Sequence, residues 1–206
     1  MLALAGLLAV AGCTRSEAGE PAPPPGATSV GTSGQSPNSS SGRPSSSVQI
    51  PPRPKELRLD GLDPCALFTE PQRDQLKANR VRNSTNKSQQ YNGMPECILS
   101  VQRQPPYYEF AVTLVTNEGI GPWLGGKRNV EARLASVETY PAATYWFRGA
   151  NGHNTPDCST SVDVAEGQQL MVNTDNDGNH TFTLDELCQR AEQAAGLAVQ
   201  TLRTLK

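Results

Sequence analysis

A cysteine preceded by small side chains, Val10-Ala11-Gly12-Cys13, closes an apolar run that contains Leu2, Leu4, Leu7 and Leu8. The chemistry that this spacing serves is thioether lipidation. Small side chains fit a narrow peptidase site, the Cys13 sulfur receives a diacylglyceryl group, and Cys13 becomes the new N-terminus. The run is too short to span a bilayer as a helix. Residues 1–13 are therefore expected to be a lipoprotein signal peptide with Cys13 as the lipid-attachment residue. The rest of the chain is expected on the outer face of the cytoplasmic membrane, anchored by acyl chains and facing the cell wall. No Lys or Arg precedes Arg15, so the basic leading region of the signal is expected upstream of Met1.

The other four cysteines, Cys65, Cys97, Cys158 and Cys188, are an even set for an oxidising compartment. They contain no CxxC and are too widely spaced for a compact zinc site, so two disulfides are expected. Residues 121–127 fit GxxxxGK, the opening of a phosphate-binding loop. Arg128 stands where Ser or Thr should hold magnesium, and Pro122 has no N–H to offer, so a Gly-rich loop between sheet elements is expected instead. Asn173, Asp175, Asp177 and Gly178 fit the first half of a calcium loop. Leu184 occupies the position of the bidentate glutamate, which leaves a turn feeding a helix. The two histidines, His153 and His180, lie in polar loops; Asp157 is close to His153, and no Gly-x-Ser-x-Gly is present. No catalytic residue, cofactor or metal is expected. With 18 basic against 20 acidic residues and no dense basic cluster, a nucleic-acid partner is disfavoured.

The elements that must position these residues begin after a long break. Residues 14–54 are dominated by Ser, Pro and Gly and offer almost nothing to bury, so a disordered linker is expected. Its ends would average on the order of 35 Å apart. Residues 55–206 make about one domain with a real core. Leu57-Arg58-Leu59 alternates as a short strand. Asp63 caps a short helix with Pro64 at its first position, and Thr69-Glu70-Pro71 restarts a helix running to about Ala78. Residues 79–93 read as loop with a short edge strand. Alternation then places strands at Cys97-Leu99-Val101 and Phe110-Val112-Leu114, separated by Pro105-Pro106. Residues 117–128 form a loop, 132–138 and 144–148 are extended with Pro141 between them, and strands follow around Cys158–Val164 and 169–173. Thr183-Leu184-Asp185-Glu186 is a capping box opening a helix whose stripe includes Leu187, Cys188, Ala191, Ala195, Ala198 and Leu202.

The chain resembles the actinobacterial lipoproteins of the domain of unknown function 3558 family. The residues that carry the likeness are Asp63-Pro64-Cys65-Ala66-Leu67-Phe68-Thr69, Cys97 opening a strand, Cys158 through Val164 with Gly167, then Leu170, Val172, Leu187-Cys188 and Ala191. The resemblance implies a lipid-anchored extracytoplasmic α+β domain and brings no activity. The fold class expected is a mainly antiparallel sheet packed by a long C-terminal helix and a short N-terminal helical segment, with two disulfides. Of the three pairings open to four cysteines, Cys65–Cys97 with Cys158–Cys188 is chosen. Cys158 shares a strand face with Val162 and Val164, and Cys188 lies on the final apolar stripe. Cys97 sits with Leu99 and Val101, and Cys65 with Leu67 and Phe68.

Trp123 stands among glycines, where an aromatic ring is either tucked inward or presented to a partner. With Lys127 and Arg128 it makes 117–128 the candidate binding loop, suited to an acidic, sugar-like or lipid-headgroup ligand. The function expected is a monomeric binding or accessory lipoprotein of unassigned activity, bound to the membrane through its anchor and meeting an envelope protein, glycan or lipid. The alternatives are a cell-envelope hydrolase with an unrecognised site and a non-catalytic structural or wall-interaction protein.

Overall fold

A computed structural model describes residues 48–148, 157–176 and 182–205. All belong to the unit Pro44–Lys206. Cys13, the linker up to residue 47, His153, His180, Asp177 and Gly178 lie outside the described residues.

Period-2 stretches become seven strands: β1 (Arg80–Thr85), β2 (Pro95–Val101), β3 (Tyr108–Val115), β4 (Val130–Val137), β5 (Tyr140–Phe147), β6 (Asp157–Ala165) and β7 (Gln168–Asp175). They form one sheet in the order β1-β2-β3-β7-β6-β5-β4, and every neighbouring pair is antiparallel. The helices are α1 (Glu70–Gln75), α2 (Gly121–Leu124) and α3 (Leu184–Leu205), preceded by a 3-10 turn at Pro64–Leu67. The architecture is thus α+β, with the C-terminal helix lying on the sheet.

Side-chain alternation gives the sheet two unlike faces. One presents Leu99, Phe110, Val112, Val162, Leu170 and Val172, all buried in the main core. Helix α3 covers this face, packing chiefly on β6 and β7. Ala191, Ala194, Ala195 and Ala198 are fully buried there, and their small side chains let the helix approach closely. Its start is the expected capping box: Thr183 N donates to Glu186 Oε2 at 2.8 Å, and Glu186 N donates to Thr183 Oγ1 at 3.3 Å. Hydrogen bonds from Thr183 hold the Glu186 carboxyl below its ordinary range. Asp63 caps the 3-10 turn, its side chain accepting from Cys65 N at 2.9 Å.

Both disulfides have the expected pairing, Cys65–Cys97 and Cys158–Cys188. The first ties the 3-10 turn to β2, the second ties β6 to α3.

Three local expectations need correction. Leu57-Arg58-Leu59 is not a strand: Leu57 N reaches one strand carbonyl, Val164 O at 2.7 Å, and Leu59 N bonds the Gln168 side chain. The two leucines are buried as plugs rather than as a ladder. Helix α1 ends at Gln75 rather than near Ala78, because Lys77 turns to a positive φ of 58°. Pro141 does not separate two strands but lies inside β5. The β5–β6 register begins only at Ala142, so the missing Pro141 N–H leaves no ladder bond to β6 unmade.

The segment entering the domain is fastened by charge. Arg53 Nη1 donates to Asp163 Oδ2 at 2.7 Å, and Nη2 donates to Glu166 Oε2 at 3.1 Å. Burial pushes the Asp163 carboxyl above the usual aspartate range, while the Arg53 hydrogen bond and charge pull it down. A raised folded-state pKa means the folded chain holds a proton that the unfolded chain has released. Stability therefore falls as pH rises through that window. Removing the guanidinium widens the window. Arg53→Met should cost about 1 to 3 kcal/mol at neutral pH and much less near about pH 3, where Asp163 is neutral in both states. Urea titrations giving equal losses at both pH values would show that Arg53 acts by packing alone.

Candidate functional site

Among the described residues, the second face of the sheet carries no long helix. Where the α3 side has Val and Leu, this side has small or polar residues in register. One row runs Ala111–Asn173–Ser159–Tyr145 across β3, β7, β6 and β5. The next runs Glu96–Thr113–Met171–Ser161–Ala143, starting on β2. Two connections fold over these rows: the turn following β1, where Asn86 reaches Glu96 and Thr113, and α2, between β3 and β4, where Trp123 reaches Tyr145.

Helix α2 delivers Trp123 inward. Pro122 stands in its first turn, and the backbone N–H groups of Trp123 and Gly125 donate to Ile120 O and Gly121 O. Two of the amides that a phosphate loop would offer are thus used within the turn itself. Trp123 is 3 % exposed. Its ring stacks on Tyr145 with centroids 3.8 Å apart and meets Phe147 edge-on. Its Nε1 donates to Gln169 Oε1 at 2.8 Å, and Gln169 Nε2 donates to Glu118 O, Gly119 O and Tyr91 OH. The Arg128 guanidinium lies 3.7 Å over the Trp123 ring, pairs with Glu118 and donates to Tyr91 OH. Burial, with the Glu118 hydrogen bond second, pushes the Tyr91 phenol up to about 12. Burial raises the Tyr145 phenol further.

The candidate binding loop is therefore turned the other way from a presented ring. Trp123 is a wall, Arg128 is engaged on top of it, and Lys127 is exposed and does not share their contacts. The glycines at 125 and 126 serve the turn that reverses the chain toward β4, with Gly126 at φ +67°.

Beneath Trp123 lies a cavity of about 320 Å³. Tyr91, Trp123, Tyr145 and Phe147 give it aromatic walls, and Phe147, 41 % exposed, stands at its mouth. Its polar lining includes Asn86, Glu96, Thr113, Ser159 and Asn173. Asn86 Nδ2 donates to Glu96 Oε2 and Thr113 Oγ1, and Thr113 Oγ1 donates to the same Glu96 oxygen, each at 3.0 Å. Asn173 Nδ2 donates to Ser159 Oγ at 3.0 Å and to Asp157 Oδ2 at 3.2 Å. An apolar, partly enclosed volume with a few convergent polar groups is the usual form of a small-molecule site.

A larger groove, about 800 Å³, opens between α1, the Pro105-Pro106 turn and α3. Its walls are long charged chains, Arg73, Lys77 and Arg103 among them. Its one aromatic lining residue, Tyr108, is already covered, with the Arg190 guanidinium 4.8 Å over the ring. It is the larger space, and its lining is more polar than that of the cavity under Trp123.

The family model described as "Protein of unknown function (DUF3558)" matches residues 8–201. The chain belongs to the DUF3558 family. No curated protein and no solved structure matches it. The DUF3558 match covers both disulfides and every residue of the cavity, but its description supplies no reaction, so the chemistry must be read from the side chains. Among the described residues of this DUF3558 domain, no His, Cys, Asp and Glu converge as a metal-binding group of three. None of its described helices is long and apolar enough to cross a membrane. Of the calcium-loop residues, Asn173 and Asp175 are strand residues of β7, Asn173 bonding Asp157 and Ser159.

Sequence reasoning missed Asn86, Glu96, Thr113 and Ser159 as site residues and weighed Asn173 only as part of a calcium loop. Their signal was the other half of the alternation, polar residues interleaved with Cys97, Val112, Cys158 and Val172. That pattern is also what a solvated sheet face shows.

Proposed function

We propose that this DUF3558 protein is a lipid-anchored extracytoplasmic binding module of the actinobacterial lipoprotein type, and that its ligand site is the cavity under Trp123. The observation that carries the binding reading is the cavity itself. Aromatic walls, an open mouth at Phe147 and hydrogen-bonding groups on the floor converge on one small volume. The cavity lies on the face that carries the short α2, leaving the α3 face for stability. Two disulfides suit an oxidising compartment, and Cys13 at the end of a short apolar run suits lipidation.

The test has an anchoring arm and a binding arm. Expressed in an actinobacterial host, the chain should enter the detergent phase, and Cys13→Ala should move it to the aqueous phase. Unchanged partitioning of an exported Cys13→Ala protein would refute the anchor. In the binding arm, small one-ring probes should shift the amide resonances of Thr113, Tyr145 and Ser159, and Ala111→Leu, which fills the floor, should abolish the shifts. Probes that leave those amides unmoved would refute the site.

A further inference from the structure

We infer that the cavity takes an organic cation, an ammonium group on a small apolar or planar body, and that Glu96 selects for it. The inference rests on the cavity being the ligand site proposed above.

Glu96 is 9 % exposed and projects from β2 onto the face that carries the short α2, opposite Thr113. Its Oε2 accepts from Asn86 Nδ2 and Thr113 Oγ1, both neutral donors, at 3.0 Å. Among the described residues, no Lys, Arg or His forms an ion pair with it. Both hydrogen bonds converge on that one oxygen, and Glu96 lines the cavity. A carboxylate withdrawn from water without a cation is costly, and two neutral hydrogen bonds offset only part of that cost. A cation entering the cavity recovers the rest.

The walls favour the same charge. Tyr91, Tyr145 and Phe147 line the cavity as electron-rich rings, while the faces of Trp123 are taken by Tyr145 and Arg128, and aromatic rings beside a carboxylate hold ammonium groups well. This cluster already holds one cation in that way, the Arg128 guanidinium 3.7 Å over Trp123. The space, about 320 Å³, exceeds the roughly 150 Å³ that suffices for benzene, so a one-ring amine fits. An anion would be repelled by Glu96, and a neutral sugar would leave its charge unanswered.

The internal competitor is Lys87, exposed on the rim with its Nζ donating to Thr85 Oγ1 at 2.9 Å. The experiment therefore titrates the full chain with benzylamine and with benzyl alcohol at pH 7, following the amides of Thr113, Tyr145 and Ser159. The charged probe should bind about tenfold tighter or more than its neutral isostere. Glu96→Gln should erase that ratio, and Lys87→Gln should preserve or raise it. Equal binding of both probes by the wild-type chain would overturn the cation inference and leave the ligand site standing. Persistence of the ratio in Glu96→Gln, or its collapse in Lys87→Gln, would also overturn it. If neither probe moves the cavity amides, both readings fall together.

Discussion

Replacing Cys158 and Cys188 together with alanine should lower the unfolding free energy by about 3 to 4 kcal/mol. The bridge closes a separation of 30 residues, and in the chain-entropy picture its loss frees the unfolded chain by that amount. Both sulfurs are buried with Leu187, against the partly buried Trp146, Phe182 and Leu184, so the alanine pair also leaves a void. The bridge fastens α3 to β6, and α3 covers most of the main core. The Cys65–Cys97 bridge, with a separation of 32, acts on the smaller 3-10 turn and has one half-exposed cysteine. It should be reduced first under graded thiol. Urea titration of the Cys158→Ala/Cys188→Ala pair checks the value. A loss below about 1 kcal/mol would mean that helix docking alone constrains this end of the chain.

Trp123→Ala should cost about 3 to 5 kcal/mol, as truncation of a buried tryptophan does. Three partners lose their contact at once: the stacked Tyr145, the Arg128 guanidinium and the Gln169 amide. Gln169 is fully buried, so its Oε1 would be left without a donor. Trp123→Phe keeps a ring against Tyr145 but not the Nε1 donor, and should cost about 1 to 3 kcal/mol, mainly from that orphaned acceptor. Equilibrium unfolding of the two variants separates stacking from hydrogen bonding. An alanine variant as stable as the parent would place Trp123 outside the core after all.

What the sequence disclosed, it disclosed through local patterns. Thr183 and Glu186 satisfy each other's backbone within one turn, so four letters suffice to place the start of α3. Cys158 and Cys188 each sat in an apolar periodicity, which aimed both at one core and made their pairing legible. Leu57 and Leu59 misled because alternation describes a strand and a pair of plugs equally well; only a hydrogen-bonding neighbour distinguishes them, and that neighbour, Val164, is far away in the chain. Trp123 was ambiguous for a similar reason. Its glycine neighbours described a flexible loop, while its orientation depends on Tyr145 in β5 and Gln169 in β7. The cavity floor was the least legible part. Thr113, Ser159 and Asn173 are polar residues at alternate positions, the ordinary appearance of a wet sheet face, and their enclosure comes from the Asn86 turn reaching Glu96 across the sheet.

The strand order has a consequence for how the chain closes on itself. Strands β1 to β3 form one meander and β4 to β7 another, and they meet only where β3 pairs with β7. Neither disulfide crosses that seam: one ties the 3-10 turn to β2 and the other joins β6 to α3. In a chain made from its N-terminus, the edge of β3 is an open template until the last strand arrives, and so distant a pairing is slow. During that wait, the β7 of a second copy fits the same edge, the ordinary route to exchange between copies. The entering segment works against it. Arg53 on Asp163 and Leu57 on Val164 strap the beginning of the domain to the second meander. That contact raises the effective concentration of a chain's own β7 at its own β3.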